Sequence, residues 1–244
     1  MTITNSQHGT SVHEIAAGIY RISTPVSELP GGFTFNQFLV VDEAPLLYHT
    51  GPRKLLALVR EAVQHVLGDV AKLRYVGFSH VEADECGSLN EWLALAPEAQ
   101  PVCGEVAAMV SVGDLAVRPP FALREDEWLS LGQRRVRWLA TPHLPHNWEC
   151  GHLYEASTRT LFCGDVLTQP GAQLPALTEG DLIGPSEAMR LAMPAGSVAV
   201  EAGTRASLEK LAACEPTTLA TMHGSSYRGD GGRVLRDYAS ALGV

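Results

Sequence analysis

The sequence predicts a single α/β domain built as a sandwich of strands and helices. Short apolar runs rich in β-branched and aromatic residues alternate along the 244 residues with segments of helical periodicity. Hydrophobic residues make up 45% and charged residues 18% of the chain, which is ordinary for a globular protein. We expect a polar N-terminal tail at residues 1–13 and one domain at residues 14–244.

The first half of the chain predicts strands and helices that lead to a cluster of acidic residues. Strands are expected within Ile15–Ser23 and Phe33–Leu47, and apolar residues at helical spacing predict a helix from 52 to 67. Leu73–Ser79 predicts another strand. The S-x-x-E pattern of Ser88–Glu91 is typical of a capping box, so a helix should begin there.

The second half predicts further strands, a hairpin and amphipathic helices. Helices are expected at 105–112, 203–213 and 232–242. The strands are expected at Pro101–Gly104, Trp128–Leu131, Arg135–Ala140, Gly151–Glu155, Thr160–Cys163 and Thr218–Met222. Residues 168–203 are rich in Pro and Gly, apart from a helical stretch at 186–192. This segment could cover a site, form a dimer contact or be a tolerated surface insertion.

The most informative segment is Ser79–Gly87, which follows a predicted strand. His80, Glu82 and Asp84 alternate, so an extended or tightly turned backbone can direct all three at one point. Such a set is costly to bury without a cation, and mixed imidazole and carboxylate ligands suit a transition metal. Taken alone, the segment could equally be a solvated loop.

Three later positions favour the metal interpretation. His146, Asp165 and His223 each follow an apolar stretch of strand character, where ligands at strand ends are expected. His143 lies three residues before His146 and is the alternative ligand there. The predicted site therefore holds metal, with two ions expected.

The same residues resemble a known family. His80-x-Glu82-x-Asp84, followed by His146, Gly164-Asp165 and His223-Gly224, resembles the metallo-β-lactamase superfamily. Glu82, where most hydrolases of that superfamily have histidine, is similar to flavodiiron proteins and their stand-alone relatives, the oxygen-binding diiron proteins. Three further features match that branch: the segment Gly87–Leu89, the segment Phe35–Val40 and the 19-residue spacing from His146 to Asp165. The resemblance spans about residues 14–244 and implies a four-layer αββα sandwich.

The resemblance also implies a role for each ligand. His80, Glu82 and His146 would hold one metal, Asp84 and His223 the other, and Asp165 would bridge them, with no catalytic residue beyond these ligands. Carboxylates are hard ligands, so Glu82 favours iron, with zinc or manganese as alternatives.

Three residues are candidates for contacts to the ligands. Glu85 stands where the family often has histidine, and it could face solvent at a helix start, bind metal or accept a hydrogen bond from a ligand. His49 stands near a position where the family has aspartate, and it is either a partner of a ligand or a structural residue. His143 is the third candidate.

Composition excludes several classes of partner. The net charge of −9 and the lack of a basic stripe argue against nucleic acid. The chain shows no signal-peptide pattern and no apolar run of ~20 residues, so a cytoplasmic protein without membrane contact is expected. Five cysteines without a C-x-x-C pair indicate neither a zinc ribbon nor a disulfide framework.

Three functions remain open. The first is a diiron site that binds or reduces dioxygen or nitric oxide, as an oxygen sensor or an oxidoreductase. Such a site would have no FMN in this chain and would depend on a separate electron-donor protein. The second is a dinuclear zinc hydrolase that attacks an ester, thioester or lactam through a bridging hydroxide. The third is a metal-binding module without catalysis. A homodimer is an expectation from the family only.

Overall fold

The computed structural model describes residues 9–27, 31–193 and 197–244 and shows two mixed β-sheets packed face to face. The first sheet has the order β1-β2-β3-β4-β5-β6-β7, with strands Ser11–Ala16, Ile19–Val26, Phe33–Val40, Leu46–Tyr48, Tyr75–Gly77, Gln100–Gly104 and Phe121–Leu123. The second has the order β12-β14-β13-β11-β10-β9-β8. Its strands, from β8 to β14 in chain order, are Trp128–Ser130, Arg135–Ala140, Gly151–Glu155, Thr160–Gly164, Leu177–Thr178, Thr218–Thr221 and Ser226–Arg228.

Helices cover the outer faces of both sheets. In chain order, α1 to α8 are Leu56–Leu67, Ala83–Cys86, Leu89–Leu95, Glu105–Ala107, Gly113–Leu115, Ile183–Ala192, Thr204–Ala212 and Gly231–Ala241. Short 3-10 turns lie at Arg53–Leu55 and Val70–Lys72, and a π-helical turn at Ala108–Val112 joins α4 to α5. Within the described ranges, no helix has the length and apolar character needed to span a bilayer.

Three apolar clusters hold four layers together. One packs α1 and α3 on the outer face of the first sheet through residues such as Val59 and Trp92. A second packs α7 and α8 on the second sheet through Leu208 and Leu235. The third lies between the sheets and includes Phe38, which meets Phe162 edge to face. The predicted αββα sandwich is thereby confirmed.

The N-terminal elements differ from their predicted bounds. β1 begins at Ser11, inside the predicted tail, while residues 1–8 of that tail lie outside the described residues. The predicted strand region Ile15–Ser23 contains the end of one strand and the start of the next, which turn at Gly18 with φ +67°. The apolar pattern continues through this tight turn, so the sequence did not indicate where the first strand ends and the second begins.

The predicted capping box at Ser88 is wrong in mechanism, although α3 begins where expected. The Ser88 hydroxyl makes no capping bond and instead donates to the carbonyl of Gly51 at 2.9 Å. Glu91 forms an ion pair with Arg53. Gly51 and Arg53, the partners of Ser88 and Glu91, both lie between β4 and α1. Contacts with this distant segment therefore take the place of the predicted local cap.

Candidate metal centre

The six predicted ligands lie in the segments that follow strands of both sheets, five in loops and Asp84 at the start of a helix. His80 and Glu82 occupy the turn between β5 and α2, and Asp84 lies in the first turn of α2. The other three follow strands of the second sheet: His146 after β9, Asp165 after β11 and His223 after β13. Side chains more than 60 positions apart in sequence therefore meet at one place.

Four of these side chains form a compact first group. The Nε2 atoms of His80 and His146 lie 2.9 Å apart, and Glu82 Oε2 lies 3.1 Å and 3.0 Å from them. Asp165 Oδ2 lies 3.7 Å from His80 Nε2 and 3.5 Å from His146 Nε2. Four ligand atoms ~2.1 Å from one tetrahedral ion lie ~3.4 Å apart. The observed separations fit such an ion.

The second group lies on the other side of Asp165. His223 Nε2 is 3.3 Å from Asp84 Oδ2 and 3.1 Å from Asp165 Oδ1. One carboxylate oxygen of Asp165 thus faces the first group and the other faces the second. This is the geometry that a bridging carboxylate requires.

The far side of two imidazoles is fixed by backbone carbonyls. His146 Nδ1 lies 3.1 Å from the carbonyl oxygen of Ser197, and His223 Nδ1 lies 2.7 Å from that of Thr34. A carbonyl accepts only from an N–H, so Nδ1 carries a proton, and Nε2 is the nitrogen that can offer a lone pair to a metal ion once its own proton has left. On the third imidazole, the Ser79 hydroxyl lies 3.0 Å from His80 Nδ1.

Electrostatics show how strongly these groups interact. Hydrogen bonds from His146 and His80 lower the pKa of Glu82 to about 2. Burial opposes the charged form of His146, but Glu82 and Asp165 outweigh it and raise its pKa to about 9. Burial likewise opposes protonation of His223, yet Asp165 and Asp84 raise the pKa to about 10. The acids thus attract positive charge strongly.

The donor set fits a pair of cations. Asp165 Oδ1 is buried and has no hydrogen-bond partner of acceptable geometry, although His223 Nε2 is near. Carboxylate oxygens of Glu82, Asp84 and Asp165 converge there, and this is costly to bury unless positive charge lies between them, either protons on the imidazoles or metal ions. The role of the six residues as ligands stays a prediction that this geometry favours.

Glu85 does not face solvent, so that expectation from the sequence is wrong. Its side chain is fully buried. One carboxylate oxygen of Glu85, one of Asp84 and one imidazole nitrogen of His223 lie within 4.8 Å of one another. The loop after β4 covers α2, because Thr50 N–H donates to the carbonyl of Glu85 at 2.7 Å. This long-range contact gives Glu85 its burial.

The two remaining candidates have different surroundings. His49 is fully buried, and its Nε2 lies 3.2 Å from the Ser79 hydroxyl, which also contacts His80. His49 therefore reaches a predicted ligand through one intervening side chain. His143 is about half exposed, lies 3.8 Å from Glu201, and belongs to neither ligand group among the residues that the structure describes.

Sequence reasoning missed the side chains that support His223. Phe33 stacks on the imidazole with ring centroids 4.2 Å apart, and Phe35 meets it edge-on at 5.4 Å. Asn36 donates from Nδ2 to the carbonyls of Thr221 and Gly224, each at 2.9 Å. The one available signal was the aromatic and amide pattern of Phe35–Val40, which resembles the family's N-terminal strand.

The fold and the site together define a class of protein. A four-layer α/β sandwich with clustered imidazoles and carboxylates in its strand-end loops is the architecture of the metallo-β-lactamase superfamily. Residues 33–224 match the family model described as "ODP family beta lactamase", and the chain belongs to this family.

Known proteins similar to this chain carry related names. A putative diflavin flavoprotein A 2 from Synechocystis is 31% identical over 144 residues, which are 57% of this chain and 24% of that protein. The chain thus spans about a quarter of the length of that relative. The metal-soaked flavodiiron core from Synechocystis has a TM-score of 0.82 at 22% identity, with coverage of 96% of this chain and 61% of that one. Rubredoxin oxygen:oxidoreductase from Desulfovibrio gigas has a TM-score of 0.72 at 17% identity, covering 96% and 62%.

Proposed function

We propose that this protein holds two iron ions and uses them to bind or reduce dioxygen or nitric oxide. One observation carries the proposal: the two oxygens of Asp165 face two separate groups of imidazole and carboxylate ligands. The names of similar proteins support iron and oxygen, since one is a flavodiiron core and another an oxygen oxidoreductase. Glu82, a hard ligand in the first group, favours iron over zinc.

The chain's own residues would hold the ions and shape the space beside them. His80, Glu82 and His146 would bind the first ion, Asp84 and His223 the second, and Asp165 both. Such a metal pair supplies electrons and a template for a small diatomic ligand.

Neighbouring residues orient these ligands. The carbonyls of Ser197 and Thr34 keep the protons of His146 and His223 on Nδ1. Phe33 and Phe35 place apolar rings against His223, which excludes water from that side of the site.

Residues 197–199, near the end of the Pro- and Gly-rich segment, contact the loop that carries His146. The Ser197 carbonyl accepts from His146 Nδ1, and Ala199 N–H donates to the carbonyl of Pro145 at 2.6 Å. These contacts support a covering role for the segment.

Sustained reduction would need electrons from outside the described domain, for which we propose a separate donor protein. Without a donor, oxygen binding itself would be the function.

The proposal is tested by exposing the reduced, iron-loaded protein to its ligand. Protein loaded anaerobically with ferrous iron should change its absorption spectrum when mixed with dioxygen or nitric oxide, at about one ligand per iron pair. An Asp114→Ala variant, altered at an exposed acid, should respond like the wild type. If the purified protein instead holds only zinc and hydrolyses esters or thioesters, with loss of hydrolysis in His80→Ala, the hydrolase alternative is correct.

Metal binding should strengthen as pH rises from 6.5 to about 9. In the metal-free protein His146 and His223 have pKa values of about 9 and 10, against an ordinary value of 6.5. The stability that these raised pKa values contribute is complete below pH 6.5 and is lost as pH rises through 9 and 10. Metal must displace those protons, so it competes best at high pH.

Melting temperatures with and without Zn²⁺, a redox-inert probe, check this between pH 6 and 10. The metal-free value should fall with pH, and the increase caused by metal should grow. An increase that shrinks over this range would contradict the assigned ligands.

A further inference from the structure

Glu85 has a buried carboxyl group whose role the proposed function leaves unexplained. It lies in α2 directly after Asp84, with its side chain fully buried. Neither Oε1 nor Oε2 has a hydrogen-bond partner among the described residues. Buried carboxylates are normally paired or hydrogen-bonded, and an isolated one is among the most unfavourable groups in a protein interior.

The surroundings of Glu85 make an ionised carboxylate there costly unless a cation is bound beside it. Its ligand atoms lie within 4.8 Å of those of Asp84 and His223, and Oε2 lies 3.8 Å from His80 Nε2. Within the described part of the chain, no lysine or arginine forms an ion pair with it. The carboxylates of Asp84, Asp165 and Glu82 also act on Glu85, so four acidic groups converge where the nearby basic side chains are the imidazoles of His80 and His223.

We propose that Glu85 is itself a ligand of the ion held by Asp84 and His223. This inference rests on the metal pair of the proposed function and adds a seventh ligand to it. The pair would then be bound by four carboxylates and three imidazoles, with Glu85 completing a three-residue group for the second ion. An added hard, anionic ligand stabilises ions of higher charge, so Glu85 selects for iron in its oxidised state over zinc.

The competing explanation gives Glu85 a proton. Burial, together with Asp165 and Asp84, raises the pKa of Glu85 well above its ordinary value in the metal-free protein. A neutral Glu85 could donate a hydrogen bond to Asp84 and serve only to position that ligand. The two roles differ in what happens when the carboxyl group is replaced by an amide of the same shape.

Glu85→Gln separates these roles, with Glu61→Gln on the exposed face of α1 as the matched control. The amide keeps a donor for Asp84 but removes the charge. If Glu85 is a ligand, the variant should lose affinity for the ion beside Asp84 and His223 and keep it for the ion beside His80 and His146. Its second iron should bind at least ~10-fold more weakly while the first binds as before.

Mössbauer spectra of ⁵⁷Fe-loaded protein supply an independent readout. Ligand replacement at one ion should change one of two iron signals in Glu85→Gln, and Glu85→His, which restores a ligand, should recover the second iron. Two irons bound in Glu85→Gln as tightly as in wild type, with both signals retained, would overturn the proposal. Failure of wild type to bind an iron pair at all would instead refute the proposed function.

Discussion

Asp165→Ala is expected to reduce metal content from about two ions per chain to one or none. Asp165 is the residue whose two oxygens face both ligand groups, at 3.5 Å from His146 Nε2 and 3.1 Å from His223 Nε2. Removing it takes one carboxylate oxygen from each group together with the carboxylate that faces both, so at least one of the two ions should no longer be held tightly. The measurement is metal content by elemental analysis after loading with ferrous iron and desalting under anaerobic conditions.

The variant should remain folded, which makes the loss interpretable. Asp165 lies in a loop just after β11, and the apolar clusters on both faces of that strand are untouched. Circular dichroism and the melting temperature of metal-free protein establish this. Asp114→Ala, which removes an exposed carboxylate of the same size, should retain both ions. Two tightly bound ions in Asp165→Ala would show that the assigned bridge is wrong.

Gly224→Ala should strongly destabilise the folded protein. Gly224 has φ +91°, and an added Cβ would lie 2.6 Å from Gln169 Cβ, closer than real Cβ contacts allow. The backbone cannot rotate away easily: the Gly224 carbonyl accepts from Arg21 Nη2 at 2.7 Å, and Gly224 N–H donates to Thr34 Oγ1 at 2.8 Å. Backbone strain and overpacking together should cost ~2–5 kcal/mol in the free energy of unfolding.

The same substitution should weaken the second metal ion. Gly224 follows His223 directly, so any shift of its backbone moves the imidazole off its contacts with Thr34 and Asp165. Gly203→Ala is the matched control, because its φ is negative and nothing lies within 4 Å of the added methyl group. Chemical denaturation of both variants gives the comparison. Equal stabilities for Gly224→Ala and Gly203→Ala would show that the His223 loop is not held as described.

Much of the fold was predictable because periodicity reports burial directly. α1 and α8 follow their predicted ranges within a few residues, since apolar side chains at helical spacing pack on a sheet. The short strands β7, β12 and β14 were missed. They have two or three residues each, and their pairing depends on neighbours distant in sequence.

The candidate site divides in the same way. His80, Glu82 and Asp84 could be identified from local spacing, and the resemblance to a family supplied the distant partners. The burial of Glu85 could not be predicted from local spacing, because it depends on the contact of Thr50, in the loop after β4, with α2. Likewise, no local pattern indicates that the Ser197 carbonyl meets His146.

Anomalous diffraction at the iron edge from anaerobically loaded crystals tests the central claim most directly. We predict two peaks ~3.5–4 Å apart, one beside His80 and His146 and the other beside His223, with Asp165 between them. A single peak, or iron bound away from these side chains, would contradict a binuclear site.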